Sequence, residues 1–308
     1  MSELTSLPDP IQREDVRRHL PSLAEQIDLV DRTYRAMARR TVEMPPKIGV
    51  HPRPDSFLHA MPAHLRDDDV VALKWVSGFP ANPTRGLPYI SGVIIVNDPE
   101  SGIPRAIMDA AEITAARTAA VSGLCVRKWA PENWTRAAIL GCGEQGRYHA
   151  AVLRFLKPAA DLAVFDPDPK KAAGLGEVTV AATAEAAVQG AEVVITAGPI
   201  IANASSPMRS TWLGESWLVL PIDFDLYVSA ELTRACDLLL TDDTDQFEYY
   251  REQGHFDGWK APSGSVGEAL ETTTLGQRVI ACNLGVAALD AAFAQFVLGQ
   301  LEASANKE

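Results

Sequence analysis

RAAILGCGEQGRYHAAVLRFL, residues 136–156, runs from a short apolar stretch through a glycine-rich turn into what reads as a helix. A bare GxGxxG also occurs in ordinary turns, so the flanks decide what Gly141, Gly143 and Gly146 are for. Here an apolar strand precedes the turn and a helix follows it. In that setting the first glycine permits the tight turn, the second lets the backbone approach a pyrophosphate, and the third lets helix and strand pack closely. The exposed amides at the helix start then face the phosphate charge. Asp166 lies 20 positions beyond Gly146, at the end of the second apolar run, DLAVFD (161–166). A carboxylate there accepts hydrogen bonds from a ribose diol and repels a 2′-phosphate. Pro167, Asp168 and Pro169 bring no arginine to welcome such a phosphate, although Lys170 and Lys171 lie nearby. NAD, rather than NADP, is the expected cofactor; a Rossmann-like domain that holds no nucleotide is the competing structural reading.

Outward from this stretch the chain has two grammars. After residue 137, apolar runs and helical segments alternate: AEAAVQG (184–190), AEVVIT (191–196), WLVLPID (217–223) and CDLLLTDD (236–243). Such alternation marks a parallel sheet with crossover helices. Before it, residues 14–40 read as one helix from the spacing of Val16, Leu20, Leu23, Ile27, Val30 and Tyr34, ended by Pro45 and Pro46. VVALKWVSGF (70–79), YISGVIIVN (89–97) and IPRAIMD (103–109) read as an antiparallel meander. ITAARTAAVSGLCVRKWA (113–130) is a long alanine-rich helix that joins the two regions. The tail RVIACNLGVAALDAAFAQFVLGQL (278–301) reads as a strand leading into a terminal helix that returns to the first region. The expected fold is α/β: a Rossmann domain over residues 119–278 plus a discontinuous α+β domain over residues 1–118 and 279–308.

Composition narrows the function classes. A chain of 308 residues accommodates about two domains. Its net charge of −12 would repel a polyphosphate backbone, which argues against nucleic acid as partner. There is no apolar run of the ~18 residues a membrane span needs, and the polar start MSELTSLPDPIQREDVRRHL has no secretory apolar core. Cys125, Cys142, Cys236 and Cys282 are far apart and form no CxxC pair, which suits reduced thiols in a cytoplasmic protein. The six histidines contain no HxxxH or HExxH pattern, so no metal site is expected.

Two cations stand out in the first region. Arg117 sits among small residues in a helix just upstream of the Rossmann domain, where it either clamps a carboxylate bidentately or lies on the surface. Lys74 interrupts an apolar strand, and alternation alone leaves open whether it faces solvent. In PIDFD (221–225), Asp223 and Asp225 follow the fifth strand of the alternating region, at the carboxyl end where open α/β sheets bind ligands. Helix capping or a solvated loop would equally place acids there.

At MPA (61–63), LKWVSGFPAN (73–82), Gly-Leu-Pro (86–88), MDAAEITAARTAA (108–120), the glycine turn and NLGVAALD (283–290), the chain resembles the ornithine cyclodeaminase/mu-crystallin family. The resemblance implies a homodimer whose first domain binds substrate and builds the interface, and hydride exchange between a nicotinamide and the α-carbon of an amino acid or its imine. It assigns Lys74 and Arg117 to the substrate carboxylate. Lys47 occupies the place where many relatives have an arginine, and cannot form the same fork. Tyr89 stands where the cyclodeaminase branch carries a threonine beside the cofactor, and His59 near a carboxylate position of that branch. The implied cofactor contacts are Tyr89, Arg117, Thr118, Gly141, Gly143, Glu144, Gln145, Gly146, Asp166, Thr196, Gly198 and Asn283. Counted back from Glu231-Leu232, Asp225 matches the family's catalytic aspartate best, with Asp223 a close rival and Lys74 a further catalytic candidate. The acidic and aromatic segment 241–259 has no assigned role beyond a lid or specificity loop. The expected activity is that of an NAD(H)-dependent amino-acid dehydrogenase or imine reductase acting on a small amino-acid or imine substrate. A cyclodeaminase with recycled NAD, and a cofactor-dependent binding protein without turnover, are the alternatives.

Overall fold

The computed structural model describes residues 7–201, 204–272 and 276–306. The chain divides into two compact units, one made of the chain up to Arg117 together with the segment from Val286, the other Thr118–Gly285. The helix Ala111–Trp129 crosses this division.

In the first unit the meander is an antiparallel sheet in the order Val42–Glu43, Phe57–Leu65, Val70–Gly78, Ile90–Asn97, Pro104–Asp109, with Ile48–Val50 also pairing with Phe57–Leu65. Alternation along Val70–Gly78 turns Val70, Ala72, Lys74 and Val76 to the buried face and Trp75 to the other. The terminal helix Ala287–Ala305 packs against the strands Phe57–Leu65 and Val70–Gly78. Its first turns are apolar nearly all round, and every residue from Ala287 to Ala294 is buried, as befits a core helix rather than an amphipathic surface one.

The single helix expected over 14–40 is in fact two, Arg13–Arg18 and Leu23–Ala38. Pro21 cannot donate a helical hydrogen bond, and Ser22 starts a new helix with a capping box: its backbone N–H donates to Glu25 while its hydroxyl accepts from the Glu25 amide. The second helix stops at Ala38, ahead of the prolines, and Arg40 follows in a left-handed conformation (φ 59°).

The second unit is an eight-stranded parallel sheet among the described residues, in the order Gly264–Ser265, Leu238–Thr241, Arg278–Cys282, Trp217–Pro221, Val193–Thr196, Arg136–Leu140, Asp161–Phe165, Thr179–Val180. Strand order reverses between Arg136–Leu140 and Val193–Thr196, which makes their carboxyl ends the topological switch point. The domain boundary expected at residue 279 moves to Val286. Arg278–Cys282 pairs in parallel with both Trp217–Pro221 and Leu238–Thr241, so that strand belongs to the Rossmann sheet and only the helix after it returns to the first unit.

Candidate active site

Steric constraint shapes the glycine turn. Gly141 adopts φ +101°, and a Cβ there would meet the Ala197 carbonyl oxygen at 2.5 Å. A Cβ on Gly146 would come 2.3 Å from the Gly141 oxygen, whereas one on Gly143 would meet open space. Gly141 and Gly146 are thus demanded by packing within the protein, and Gly143 keeps the backbone bare toward the side a ligand occupies. Gly143 is the N-cap of the helix Glu144–Leu156 and makes no side-chain cap hydrogen bond, and a helix N-terminus is a place where an anion is favoured. Asp166 ends its strand as expected, and its two oxygens accept the amides of Cys142 and Asp168, each at 2.8 Å. Asp166 therefore holds the glycine turn in shape.

Beyond the next strand, Thr196 donates its hydroxyl to Asp223, and the Gly198 amide donates to the other Asp223 oxygen at 2.8 Å. Asp223 is 1% exposed. Burial pushes its carboxyl up to about 7, even though both hydrogen bonds favour the charged form. Asn283, just after Arg278–Cys282, is buried and donates to the Ala281 carbonyl at 3.3 Å, and Asp242 accepts the amides of Leu284 and Gly285 in the same turn. Thr118 is buried in the long helix.

Asp225 turns away from Asp223. One of its oxygens lies 3.1 Å from Nδ1 of His255, and the other accepts the Phe256 amide at 2.9 Å. Both partners come from the turn after the helix Thr244–Glu252, inside the acidic and aromatic segment left unassigned by sequence.

In the first unit, Lys74 and Arg117 do come together, and what joins them is a carboxylate of the chain itself. Nζ of Lys74 lies 2.6 Å from one oxygen of Asp290, and Nε of Arg117 lies 3.2 Å from the other. All three side chains are buried. Alternation left Lys74 ambiguous; the structure turns it inward, where burial pushes its ammonium down to about 7, Asp290 pulls it back up and Arg117 pushes it further down. His59 is buried and stacked on Phe57 with ring centroids 4.5 Å apart. Burial first, then Lys47, His51 and Lys74, lower it to about 3, so it is a neutral imidazole at physiological pH. Lys47 is buried just before the strand Ile48–Val50, and Tyr89, half-buried, stands just before Ile90–Asn97.

The family model for "Ornithine cyclodeaminase/mu-crystallin family" matches residues 9–276. The chain belongs to this family. The nodulation efficiency protein NfeD of Rhizobium meliloti is 32% identical over 294 residues, 92% of each chain. Among solved structures, the Thermococcus litoralis Δ1-pyrroline-2-carboxylate reductase, in complex with NADH and L-proline, superposes with a TM-score of 0.85 at 23% identity, over 96% of this chain and 98% of that one. An archaeal alanine dehydrogenase dimer with bound NAD gives 0.82 at 24% identity over 96% of each chain. These structures share the fold: an α/β architecture with a parallel Rossmann sheet. No described helix is long and apolar enough to cross a membrane.

Two residues of the candidate site, Asp290 and His255, carry no mark in the sequence. Asp290 was visible only as the last letter of NLGVAALD, and nothing local ties it to a lysine and an arginine more than 170 positions upstream. His255 follows a glycine in a loop, and its pairing with Asp225 spans 30 positions without a motif.

Asp290→Ala should cost about 3–5 kcal/mol of unfolding free energy, because it leaves two buried cations uncompensated. A denaturant midpoint close to that of the native protein would show that the three charges are hydrated rather than paired. Asp223 gives a pH signature. Its pKa is raised in the fold, so between about pH 4 and pH 7 the native state holds a proton that the unfolded state has released. The stability of the native protein relative to Asp223→Asn should fall across that window and level off above about 7. Parallel stability–pH curves for the two proteins would contradict the burial of an ionisable carboxylate.

Proposed function

We propose that this chain is an NAD(H)-dependent oxidoreductase that exchanges hydride with the α-carbon of an amino acid or its imine. One observation carries this reading: Lys74 and Arg117 meet at one buried point in a chain whose other unit has a sterically required dinucleotide turn. Two cations that share one internal carboxylate retain a net positive charge, which suits the α-carboxylate of a small substrate.

The cofactor fits the residues present. Gly141, Gly143, Glu144, Gln145 and Gly146 form the glycine turn and helix N-terminus suited to the pyrophosphate, and Asp166 stands beside that turn for the ribose. Thr196 and Gly198 lie at the carboxyl end of Val193–Thr196 and Asn283 at that of Arg278–Cys282, with Thr118 on the helix that enters this unit. When bound, NAD supplies the hydride acceptor. The chain's own groups hold the substrate carboxylate and move its proton: Lys74, Arg117 and Lys47 for the first task, Asp225 for the second. Asp223, enclosed and committed to Thr196 and Gly198, keeps the loop after Val193–Thr196 in place. A neutral His59, where a diamino acid's distal ammonium would need a carboxylate, favours net redox chemistry over cyclodeamination of ornithine.

The deciding experiment is a panel of amino acids with NAD, and of 2-oxo acids plus amines with NADH, followed by absorbance of the reduced nicotinamide and by ammonia assay. Net redox change is expected. Ammonia release without it would make the enzyme a cyclodeaminase, and no turnover with tight NADH binding would leave a binding protein.

NADH should bind more tightly than NADPH. Asp166→Ala should narrow that gap and also weaken NADH itself, because the Cys142 amide loses its acceptor. Equal affinity of the unmodified protein for both coenzymes would sink the assignment of Asp166.

The outer face of the first sheet supports a homodimer. Ile48, Ala60, Trp75 and Val93 stand side by side across four strands, on the face opposite Lys74. Trp75 and Val93 remain 39% and 38% exposed, and a contiguous apolar row of this kind marks an association surface. Sedimentation equilibrium at micromolar concentration should give about twice the 33.2 kDa chain mass. Trp75→Glu should shift the protein to monomer; a native protein that sediments as monomer would refute the dimer.

A further inference from the structure

The segment 241–259 delivers one imidazole to one carboxylate. The helix Thr244–Glu252 ends at Gln253, Gly254 turns the chain with φ +91°, and the next two residues both reach Asp225: His255 through Nδ1 and Phe256 through its amide. The two backbones that meet there are constrained. Phe224, immediately before Asp225, has φ +63°, and Phe256, immediately after His255, has φ +59°. The left-handed region is unfavourable for a bulky non-glycine residue, and both rings are buried. Aromatic packing supports that strain: Phe224 meets the His255 ring edge-on at 5.2 Å, while Phe247 stacks on Phe256 at 4.4 Å. A surface loop would gain nothing from such a construction.

We infer that His255 and Asp225 act as a pair in which Asp225 orients the imidazole through Nδ1–H and Nε2 exchanges the proton with the substrate nitrogen. This rests on the oxidoreductase reading above and changes which atom does the acid–base work in it. Both oxygens of Asp225 are already engaged within the protein, one facing Nδ1 of His255 and the other accepting the Phe256 amide. The same carboxylate fixes the histidine tautomer, with the proton on Nδ1 and the lone pair on Nε2. Among the described residues no hydrogen bond to Nε2 is found, and the side chain keeps 16% exposure, enough for a ligand atom to reach it. Asp223, two residues from Asp225, is turned toward Thr196 and Gly198 and does not compete for the imidazole.

The proton balance is as follows. The substrate ammonium gives one proton to Nε2, and Asp225 stabilises the imidazolium that results. Bound NAD would accept the Cα–H bonding pair as hydride, while the amine lone pair closes the C=N bond. In the reductive direction the imidazolium returns its proton to nitrogen.

His255→Asn tests the inference, because the asparagine amide can still donate to Asp225 from near the Nδ1 position while holding no titrating group. Turnover should fall about 100-fold or more, recover saturably with added imidazole, and leave the NADH dissociation constant and the thermal midpoint near native. A long-range ¹H–¹⁵N correlation spectrum of the unliganded native protein should show the neutral ring protonated on Nδ1, a preference lost in Asp225→Asn. Near-native turnover of His255→Asn, loss of turnover that imidazole does not restore, or a ring protonated on Nε2 would each overturn the pair. Failure of the native protein to turn over any amino or oxo acid would instead defeat the oxidoreductase reading, and the tautomer measurement would still decide the pair.

Discussion

A carboxylate cannot stay in an apolar interior unless opposite charge and hydrogen-bond donors surround it. Asp290 lies in the first turns of the terminal helix, where residues 287–294 are otherwise alanine, leucine and phenylalanine, and it is buried. Its survival there requires Lys74 from the middle of the sheet and Arg117 from the start of the long helix, at 2.6 and 3.2 Å. The requirement runs the other way as well, since neither cation could be enclosed alone. Three stretches of chain distant in sequence are thus locked into one register, and the first unit exists as a unit because the tail must return. The charged cluster that closes the fold is also the cluster that carries the proposed substrate clamp.

The carboxyl ends of the parallel strands apply the same chemistry differently. Asp166, Asp223 and Asp242 each accept backbone amides from turns that follow these strands, and Asp225 accepts the Phe256 amide from the turn after the helix Thr244–Glu252. Here donors rather than cations hold the charge, so each acid fixes a loop while leaving its neighbourhood electrically open to a ligand. Part of the chain's acidity is therefore spent on loop geometry at the edge where the sheet binds ligands. Burial raises Asp223 to about 7, which suits a staple that tolerates protonation.

Much of this was legible in residue order. The strand–glycine–helix succession at 136–156 and the alternation after it imply a parallel Rossmann sheet, because crossover geometry follows from local periodicity and short connections. The meander, the long alanine-rich helix and the returning tail were legible for the same reason. The break at Pro21 was missed because apolar spacing continues across it while hydrogen bonding does not. The strand Arg278–Cys282 was assigned to the wrong unit, since an apolar run states that it is a strand but not which sheet it completes.

By itself the sequence determined the elements, the dinucleotide turn, the family, and the identity of Lys74, Arg117, Asp223 and Asp225 as residues to watch. Only the tertiary structure decided what each of them touches. Lys74 turned inward because sheet pairing set its face; Asp290 became the partner of both cations because the tail helix packs on that face. Asp223 and Asp225, two residues apart, took different neighbours because the left-handed turn at Phe224 points their side chains to different loops. Local chemistry is written in adjacent residues, whereas a buried charge is assigned its role by whatever distant group the fold brings within about 3 Å of it.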